Sequence, residues 1–298
     1  MASEGRVAGR AETPIAGVAE RLEIPVPTIR SWERRYGFPA PARTRGRHRR
    51  YDEREIEQLR DLRDLVTRGF PTGEAVRLLR SGGAARAGDD LADDVVQAVL
   101  VFDREAVESS LDRAAGGMGP DEAVRSVLLP AMREIGARWK AGSCDIGQEL
   151  FATDVVRGWL ARRTASYAVS TRRPPVVLAC GPSDLHTIGL EAFALVLANR
   201  AWPTRVLGAM TPTESLVAAV RAVRARAAVV TAQRSVTRAA AIASVEAVAA
   251  IPGVAAFYAG NGFANPAVRR RIPGVFLGGD VVAGADRLVG DLAERRRR

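Results

Sequence analysis

Two residues with clear potential for metal chemistry lie close together in the stretch GPSDLHTIG, where one residue separates Asp184 from His186. A neutral imidazole is a good nitrogen ligand for transition metals, so His186 is a candidate metal ligand. The carboxylate of Asp184 could accept the N–H of the other ring nitrogen, which would fix the tautomer and make the ligand more basic. Gly189 would let the following helix approach a bound group closely. His186 is one of only two histidines in the chain.

A second group of chemically active residues is basic. Residues 30 to 50 contain eight arginines and a single acid, Glu33, in a chain whose formal net charge is +10. Such a local excess of positive charge favours an anionic partner such as nucleic acid. We expect DNA contacts from the following set: Thr28, Arg30, Ser31, Arg34, Arg43, Arg45, Arg47, His48, Arg49, Arg50 and Tyr51.

Length and composition limit the remaining classes. The chain has 298 residues, of which 47% are hydrophobic and 26% charged, which is typical of a globular protein with two or three domains. No apolar run approaches the roughly 18 residues needed to span a bilayer, so we expect a cytoplasmic protein with no membrane partner. Cys144 and Cys180 are far apart and have no paired spacing, which indicates neither a disulfide framework nor a zinc site.

The elements that would position the basic residues begin with two short helices. Thr13 is predicted to cap the first, with Pro14 at its first position. The second starts near Val26 and turns Ile29 and Trp32 inward, which leaves polar and basic residues on its other faces. Two short helices joined by a tight turn form a helix-turn-helix, whose second helix can enter a major groove. The next segment, GFPAPARTRGRHRRYDE, predicts a small two-stranded wing laid along phosphates.

Residues 32–70, WERRYGFPAPARTRGRHRRYDEREIEQLRDLRDLVTRGF, resemble the winged-helix domain of the MerR family of bacterial transcription regulators. The resemblance implies a DNA-binding domain over residues 10–80 and a double-stranded DNA operator as partner. It also implies a homo-oligomer, a dimer or a tetramer. Members of the family often dimerise through a long C-terminal coiled coil, but no sustained heptad repeat follows Leu79. We instead expect a Gly-, Ala- and Asp-rich linker over residues 80–90.

Residues 91–168 carry helical patterns throughout, which predicts a four-helix bundle. The stretch RWKAGSCDIGQELFATDVVRG within it resembles the helical cap of cobalamin-binding regulators, the CarH and LitR light-sensing group. That group has the pattern W-x9-E-H-F-A-T. Here Trp139, Glu149 and Thr153 match, but Leu150 stands where the group has histidine.

Residues 175–298 alternate short apolar runs with helical patterns: VVLACG, TRVLGAM, AAVVTAQ, VAAFYAG and GVFLGG. Five strands with intervening helices predict an open parallel sheet covered on both faces, a flavodoxin-like or Rossmann-like α/β domain. The complete fold class is therefore a multidomain chain with a winged helix-turn-helix, a four-helix bundle and a five-stranded α/β domain. Ligands of such sheets bind at the carboxyl ends of the strands.

The loop after the first strand also matches Asp-x-His-x-x-Gly, the signature of cobalamin-binding domains, which makes cobalamin the expected cofactor and cobalt the metal at His186. The resemblance implies that His186 replaces the cofactor's own base at the lower face. The nucleotide tail would then enter a slot in the sheet. Further positions expected near this ligand are Leu185, Thr187, Ile188, Thr231, Ser235, Gly260 and Gly262.

The three resemblances together imply a regulator of the CarH and LitR type. In that group adenosylcobalamin promotes assembly and operator binding in the dark, and light releases the DNA. Leu150 and Lys140 stand where members of the group have histidines. We therefore expect adenosylcobalamin binding with an altered response to light.

Other functions remain open at this stage. The sensor half could serve oligomerisation or protein binding in a cobalamin-independent regulator, or hold another chromophore. An enzymatic role is the least expected, because no substrate-binding barrel accompanies the cobalamin module.

Overall fold

The computed structural model describes residues 13–43, 49–68, 70–170 and 172–297. The chain forms two compact units, Met1–Ala87 and Gly88–Arg298. Among the described residues, no helix is both long enough and apolar enough to cross a membrane.

The first unit has the predicted helix-turn-helix, with α1 (Ile15–Leu22) and α2 (Val26–Tyr36). Its sheet has three strands rather than the two expected, because β1 (Thr13–Pro14) joins β2 (Ala42–Arg43) and β3 (Arg49–Tyr51). The prediction that Thr13 caps α1 is wrong: Thr13 pairs with Tyr51 in the sheet, and Pro14, which has no side-chain cap, precedes the helix.

Helix α3 (Glu53–Thr67) closes the core of the first unit. A capping box fixes its start, since Asp52 accepts from the Glu55 N–H and Glu55 accepts from the Asp52 N–H. The core of this unit is made of buried apolar residues from all three helices: Val18, Leu22, Ile29, Trp32, Ile56, Leu59 and Leu62.

The predicted linker over residues 80–90 is wrong, because α4 runs without interruption over Thr72–Leu100. Glycine in a helix costs about 1 kcal/mol relative to alanine, but buried residues hold this helix at both ends. Ala75 and Val76 belong to the core of the first unit, and Val95 and Val96 to that of the second. At Gly88 a side chain would meet the Cβ of Ser126 at 2.9 Å, so this glycine permits close helix packing.

The second unit begins with the predicted four-helix bundle. After α4 come α5 (Arg104–Met118) and one long helix composed of α6 (Pro120–Ala123), a π-helical segment (Val124–Leu128) and α7 (Leu129–Lys140). The last helix of the bundle is α8 (Ile146–Ala165). The bundle core is continuous with the apolar core on one face of the following sheet.

That sheet has the predicted five parallel strands, in the order β5-β4-β6-β7-β8. They are β4 (Val176–Cys180), β5 (Thr204–Gly208), β6 (Ala227–Thr231), β7 (Ala255–Ala259) and β8 (Val275–Phe276). The helices are α9 (Ile188–Asn199), α10 (Thr213–Ala222), α11 (Arg238–Ala249), α12 (Pro266–Arg269) and α13 (Val281–Arg297). The chain moves from β4 outward to β5 and returns to β6 on the other side, so the switch point of the topology lies between β4 and β6.

Candidate functional sites

The recognition helix α2 has the buried and exposed faces that the sequence predicts. Ile29 and Trp32 are buried, whereas Arg30 and Arg34 are exposed. Thr28 and Ser31 are half-buried on the same helix. The exposed face of α2 is therefore polar and basic, which suits contact with a DNA groove.

Glu33 connects this helix to the wing. Its carboxylate accepts hydrogen bonds from Nε of Arg49 and from the Tyr51 hydroxyl, both on β3. The predicted DNA contact by Tyr51 is wrong, because this side chain is fully buried. Burial and the bond to Glu33 both raise the pKa of the Tyr51 hydroxyl, which stays protonated. Tyr51 holds the wing against α2 instead.

The other wing residues are only partly described. Arg49 and Arg50 are half-buried in β3, and the backbone of Arg43 lies in β2. Arg45, Arg47 and His48 lie outside the described residues, so their DNA contacts remain predictions.

In the second unit, Asp184 organises the loop after β4. It is buried, and its Oδ1 accepts hydrogen bonds from the backbone N–H of His186 at 3.0 Å and from the His186 ring at 2.7 Å, through Nδ1. Its Oδ2 accepts from the backbone N–H of Gln233 at 2.6 Å. The carboxylate thus fixes the imidazole and joins the loops after β4 and β6 at the switch point.

The hydrogen bond to Asp184 leaves Nε2 of His186 available. The His186 side chain is 55% exposed, whereas the Asp184 side chain is fully buried. An imidazole whose Nδ1–H is held by a carboxylate presents its Nε2 in a fixed direction, which is the usual arrangement of a histidine metal ligand.

Glycines let the loops beside this histidine pack closely. Gly260 has φ +104°, and a Cβ there would lie 2.4 Å from the carbonyl oxygen of Ala232. At Gly262 the same oxygen would be 2.9 Å away. Both glycines let the loop after β7 close against the loop after β6, and Gly189 lies beside the Gln233 side chain at the start of α9.

The remaining predicted positions divide by exposure. Leu185 and Ser235 are exposed, Ile188 is half-buried and Thr187 is buried. Thr231 is also buried, and its hydroxyl donates to Sγ of Cys180 at 3.5 Å, so it lies between the carboxyl ends of β6 and β4. Burial raises the pKa of Cys180 to about 11, which keeps this thiol protonated.

The bundle extends over this edge of the sheet. Helices α8 and α9 run parallel, since Arg157 pairs with Glu191 near the start of α9 and the Ser170 N–H bonds Ala201 beyond its end. Leu150 precedes Arg157 by seven residues, which places it about 10 Å further along the axis, beyond the start of α9. The amino-terminal half of α8 therefore projects past the carboxyl ends of the strands.

This projecting end exposes large apolar side chains. Trp139 is 45% exposed, Ile146 46% and Leu150 60%, while Glu149 and Thr153 are half-buried. On the sheet side, Leu185 and Val236 are 67% and 75% exposed. Large exposed apolar side chains grouped at one place are typical of a binding surface. An exposed imidazole fixed by a buried carboxylate, with exposed apolar side chains at the same edge of the sheet, is chemically suited to a large apolar ring that carries a metal.

Comparison with known proteins gives two family models that match segments of the chain. The model of the MerR HTH family regulatory protein matches residues 14–82, and that of the B12 binding domain matches residues 91–164. The chain is 30% identical over 221 residues to the HTH-type transcriptional repressor CarH of Myxococcus xanthus, an alignment covering 69% of this chain and 74% of that protein. This chain belongs to the MerR family. The repressor CarA of the same organism is 29% identical over 214 residues, covering 70% of this chain and 73% of that protein.

The second unit of this MerR-family chain also has a structural relative. The monomethylamine corrinoid protein of Methanosarcina barkeri superposes with a TM-score of 0.55 at 12% identity, covering 68% of this chain and 99% of that protein. At this identity the likeness concerns the fold alone. The chain is thus a MerR-type DNA-binding regulator that carries a B12-binding domain.

Two residues of these sites escaped the sequence analysis. The backbone N–H of Gln233 donates to Oδ2 of Asp184, and the Gln233 side-chain Oε1 accepts from the Asn261 N–H at 3.3 Å. Gln233 therefore connects three loops. A main-chain contact leaves no sequence signal. Glu33 was visible as the only acid among the arginines, and that isolation was the signal that it has a structural partner.

Proposed function

We propose that this regulator binds cobalamin, as adenosylcobalamin, with Nε2 of His186 as the lower ligand of the cobalt. The observation that carries the proposal is the hydrogen bond between buried Asp184 and Nδ1 of His186. A buried carboxylate that holds an exposed imidazole would fix the tautomer and orientation that the opposite ring nitrogen needs to bind a metal.

The chain's own residues would position the cofactor in three ways. His186 would hold it from below, with Asp184 fixing the tautomer and the orientation of the imidazole. The loops after β6 and β7, which Gly260 and Gly262 allow to pack together, would lie beside the nucleotide tail, and Ser235 after β6 is exposed. Trp139 and Leu150 would cover the upper face and exclude water. When bound, adenosylcobalamin supplies a cobalt–carbon bond that light can break.

Regulation would act through assembly. We infer that the bound cofactor favours a homo-oligomer, a dimer or tetramer, that places two recognition helices on an operator. Arg30 and Arg34 of α2 would read the groove, with Thr28 and Ser31 beside them, and the wing arginines would bind phosphates. Buried Tyr51 is not part of this set.

The proposed upper face of this site carries Leu150 at the position where the CarH and LitR group has a second histidine. The chain has only two histidines, and the other, His48, belongs to the first unit. No second imidazole of the sensor unit can therefore capture the cobalt after illumination. We expect the illuminated protein to bind added cyanide or imidazole readily. Leu150→His should slow that binding and shift the visible spectrum toward two-imidazole coordination.

The decisive experiment is the visible spectrum of full-length protein after mixing with adenosylcobalamin in darkness and desalting. Wild type should elute with the corrin in a histidine-ligated form. His186→Ala should lose the corrin or show a different lower ligand. His48→Ala removes the chain's other histidine and should leave the spectrum unchanged. An unaltered spectrum and affinity in His186→Ala would exclude the proposed ligation.

DNA binding provides the functional readout. Mobility shifts on a selected operator, with and without adenosylcobalamin, should show stronger binding with the cofactor in darkness. Arg34→Ala should abolish the operator shift while the corrin spectrum is retained. Equal operator binding with and without the cofactor would instead support the cobalamin-independent regulator.

A further inference from the structure

The amino-terminal edge of the five-stranded sheet is strongly basic. Five segments connect a preceding helix to a strand at this edge: residues 166–175, 200–203, 223–226, 250–254 and 270–274. Together they contain no aspartate, glutamate or lysine. Their charged residues are seven arginines: Arg172, Arg173, Arg200, Arg224, Arg226, Arg270 and Arg271. We call this set the arginine edge.

Sheet topology brings these residues together. They precede β4, β5, β6 and β8, four of the five parallel strands, whose amino ends lie at one edge. At about 4.8 Å between neighbouring strands, the sheet is roughly 20 Å wide. That width matches about six base pairs of a DNA duplex, which carries one phosphate charge per ~1.7 Å of axis.

Most of this charge has no counter-charge within the described part of the chain. Only Arg200 has carboxylate partners, Asp121 and Asp286, at 2.9 and 2.8 Å. Arg173 lies over the ring of Trp202, with its guanidinium carbon 4.8 Å from the ring centroid. The other five arginines show no carboxylate partner among the described residues, and all five are exposed.

Helix dipoles account for a minor part of the arrangement. Five helices, α8 to α12, precede these segments and end at this edge, and each carboxyl end carries at most about −0.5 of a charge. Their sum is at most roughly −2.5, whereas six arginines remain after Arg200 is set aside. Compensation of the dipoles therefore leaves a large positive surplus.

We propose that the arginine edge is a second DNA-contacting surface, which binds the phosphate backbone without regard to sequence. Guanidinium groups bind phosphate through paired N–H donors and suit a phosphate row. The MerR-type unit brings this chain to DNA, so phosphate is the anion it meets at high local concentration. A lipid surface fits less well, since Val169 is the only strongly exposed large apolar residue among the described positions of the five segments.

The test compares matched double variants of the full-length protein. Arg224→Gln/Arg226→Gln removes two charges from the arginine edge. Arg133→Gln/Arg287→Gln removes two exposed arginines of the same unit that show no carboxylate partner among the described residues. Binding to a 40-base-pair duplex of mixed sequence is followed by fluorescence anisotropy between about 50 and 200 mM NaCl.

The arginine-edge variant should bind the duplex several-fold more weakly than wild type. The slope of log K against log salt should decrease in magnitude by about 0.9 per lost phosphate contact. The control variant should keep the wild-type slope. Adding Arg270→Gln/Arg271→Gln should roughly double the change. Equal effects in the two double variants would show a general charge effect and overturn the proposal.

Two further measurements distinguish a DNA-contacting edge from a membrane-binding edge and from a damaged cofactor site. Vesicles containing phosphatidylserine should bind wild type and the arginine-edge variant equally. Loss of vesicle binding with unchanged DNA binding would assign the edge to a membrane instead. The arginine-edge variant should keep the wild-type spectrum with adenosylcobalamin, so failure of the cobalamin proposal and failure of this one are distinguishable. Arg34→Ala should lose operator selectivity yet retain the arginine-edge contribution to the salt slope.

Discussion

The two ends of the five-stranded sheet use charge in opposite ways. At the carboxyl end, a single buried carboxylate, Asp184, accepts three hydrogen bonds and sets the geometry of two loops. At the amino end, seven arginines lie in four of the five connecting segments, and most lack a carboxylate partner in the described structure. The buried charge of Asp184 fixes the positions of neighbouring groups, whereas the exposed charges of the arginines can attract an anionic partner. The carboxyl end should therefore be sensitive to single substitutions, whereas the amino end should respond only to several.

The largest effect on stability is expected at Gly260. Alanine there would place a Cβ 2.4 Å from a carbonyl oxygen at φ +104°, so Gly260→Ala should destabilise the second unit by about 3 kcal/mol or more. Gly253, in a segment of the amino edge, has φ +77° and nothing within 4 Å of an added Cβ. Gly253→Ala should cost only about 1 kcal/mol of backbone strain. Denaturant unfolding of both variants measures the difference in the free energy of unfolding. Equal losses of stability in the two variants would contradict the expected difference between the two ends of the sheet.

Asp184→Asn should be the next most harmful change. An amide has one acceptor oxygen instead of two, so an N–H donor of His186 or Gln233 would lose its partner. We expect cobalamin affinity to fall about 10- to 100-fold, as is typical when the partner of a metal-binding histidine is changed. Equilibrium titration with adenosylcobalamin measures this. Asp154→Asn, at an exposed carboxylate paired with Arg104, should bind as wild type does.

The contrast extends to the first unit, where the partly buried acid Glu33 accepts two hydrogen bonds. Tyr51→Phe removes one of its two donors while Arg49 remains, so the free energy of unfolding should decrease by about 1 kcal/mol. Operator affinity should decrease only slightly, because Tyr51 supports the wing rather than contacting DNA. A large loss of operator affinity with unchanged stability would restore Tyr51 as a contact residue. Thermal unfolding and anisotropy on the same samples decide between the two.

The smallest effect on stability is expected at the arginine edge. Arg224→Gln/Arg226→Gln removes exposed side chains that lack carboxylate partners in the described structure, so the free energy of unfolding should stay within about 0.5 kcal/mol of wild type. Thermal melts at low and moderate salt test this. A loss of 2 kcal/mol or more would mean that these arginines support the fold, and reduced DNA binding by the variant would then have a structural cause.

Much of the fold was predictable because its signals are local in sequence. The short apolar runs predicted the five strands, and the helical patterns predicted the bundle. The arginine edge was not predictable in the same way, since its residues are separated by whole helices and strands. Their proximity depends on all strands being parallel.

The wrong predictions have physical causes as well. Residues 80–90 have linker composition, but buried residues at both ends hold them in a helix. Threonine is a common N-cap residue, but the backbone of Thr13 pairs with β3 in the sheet instead. Tyr51 lies in a basic segment, and alternation along β3 turns its ring into the core. The Asp184–His186 pair was found because both residues lie in one short loop.

Asp184 and His186 would have different fates in a descendant that had lost its cofactor. The buried carboxylate holds two backbone N–H groups as well as the imidazole, so selection for folding alone would preserve it. The exposed ring of His186 supports nothing else in the described structure and would be free to drift. If His186 is the cobalt ligand as proposed, histidine at this position is the informative marker of cofactor binding among relatives of this chain, whereas the aspartate reports only that the loop keeps its fold.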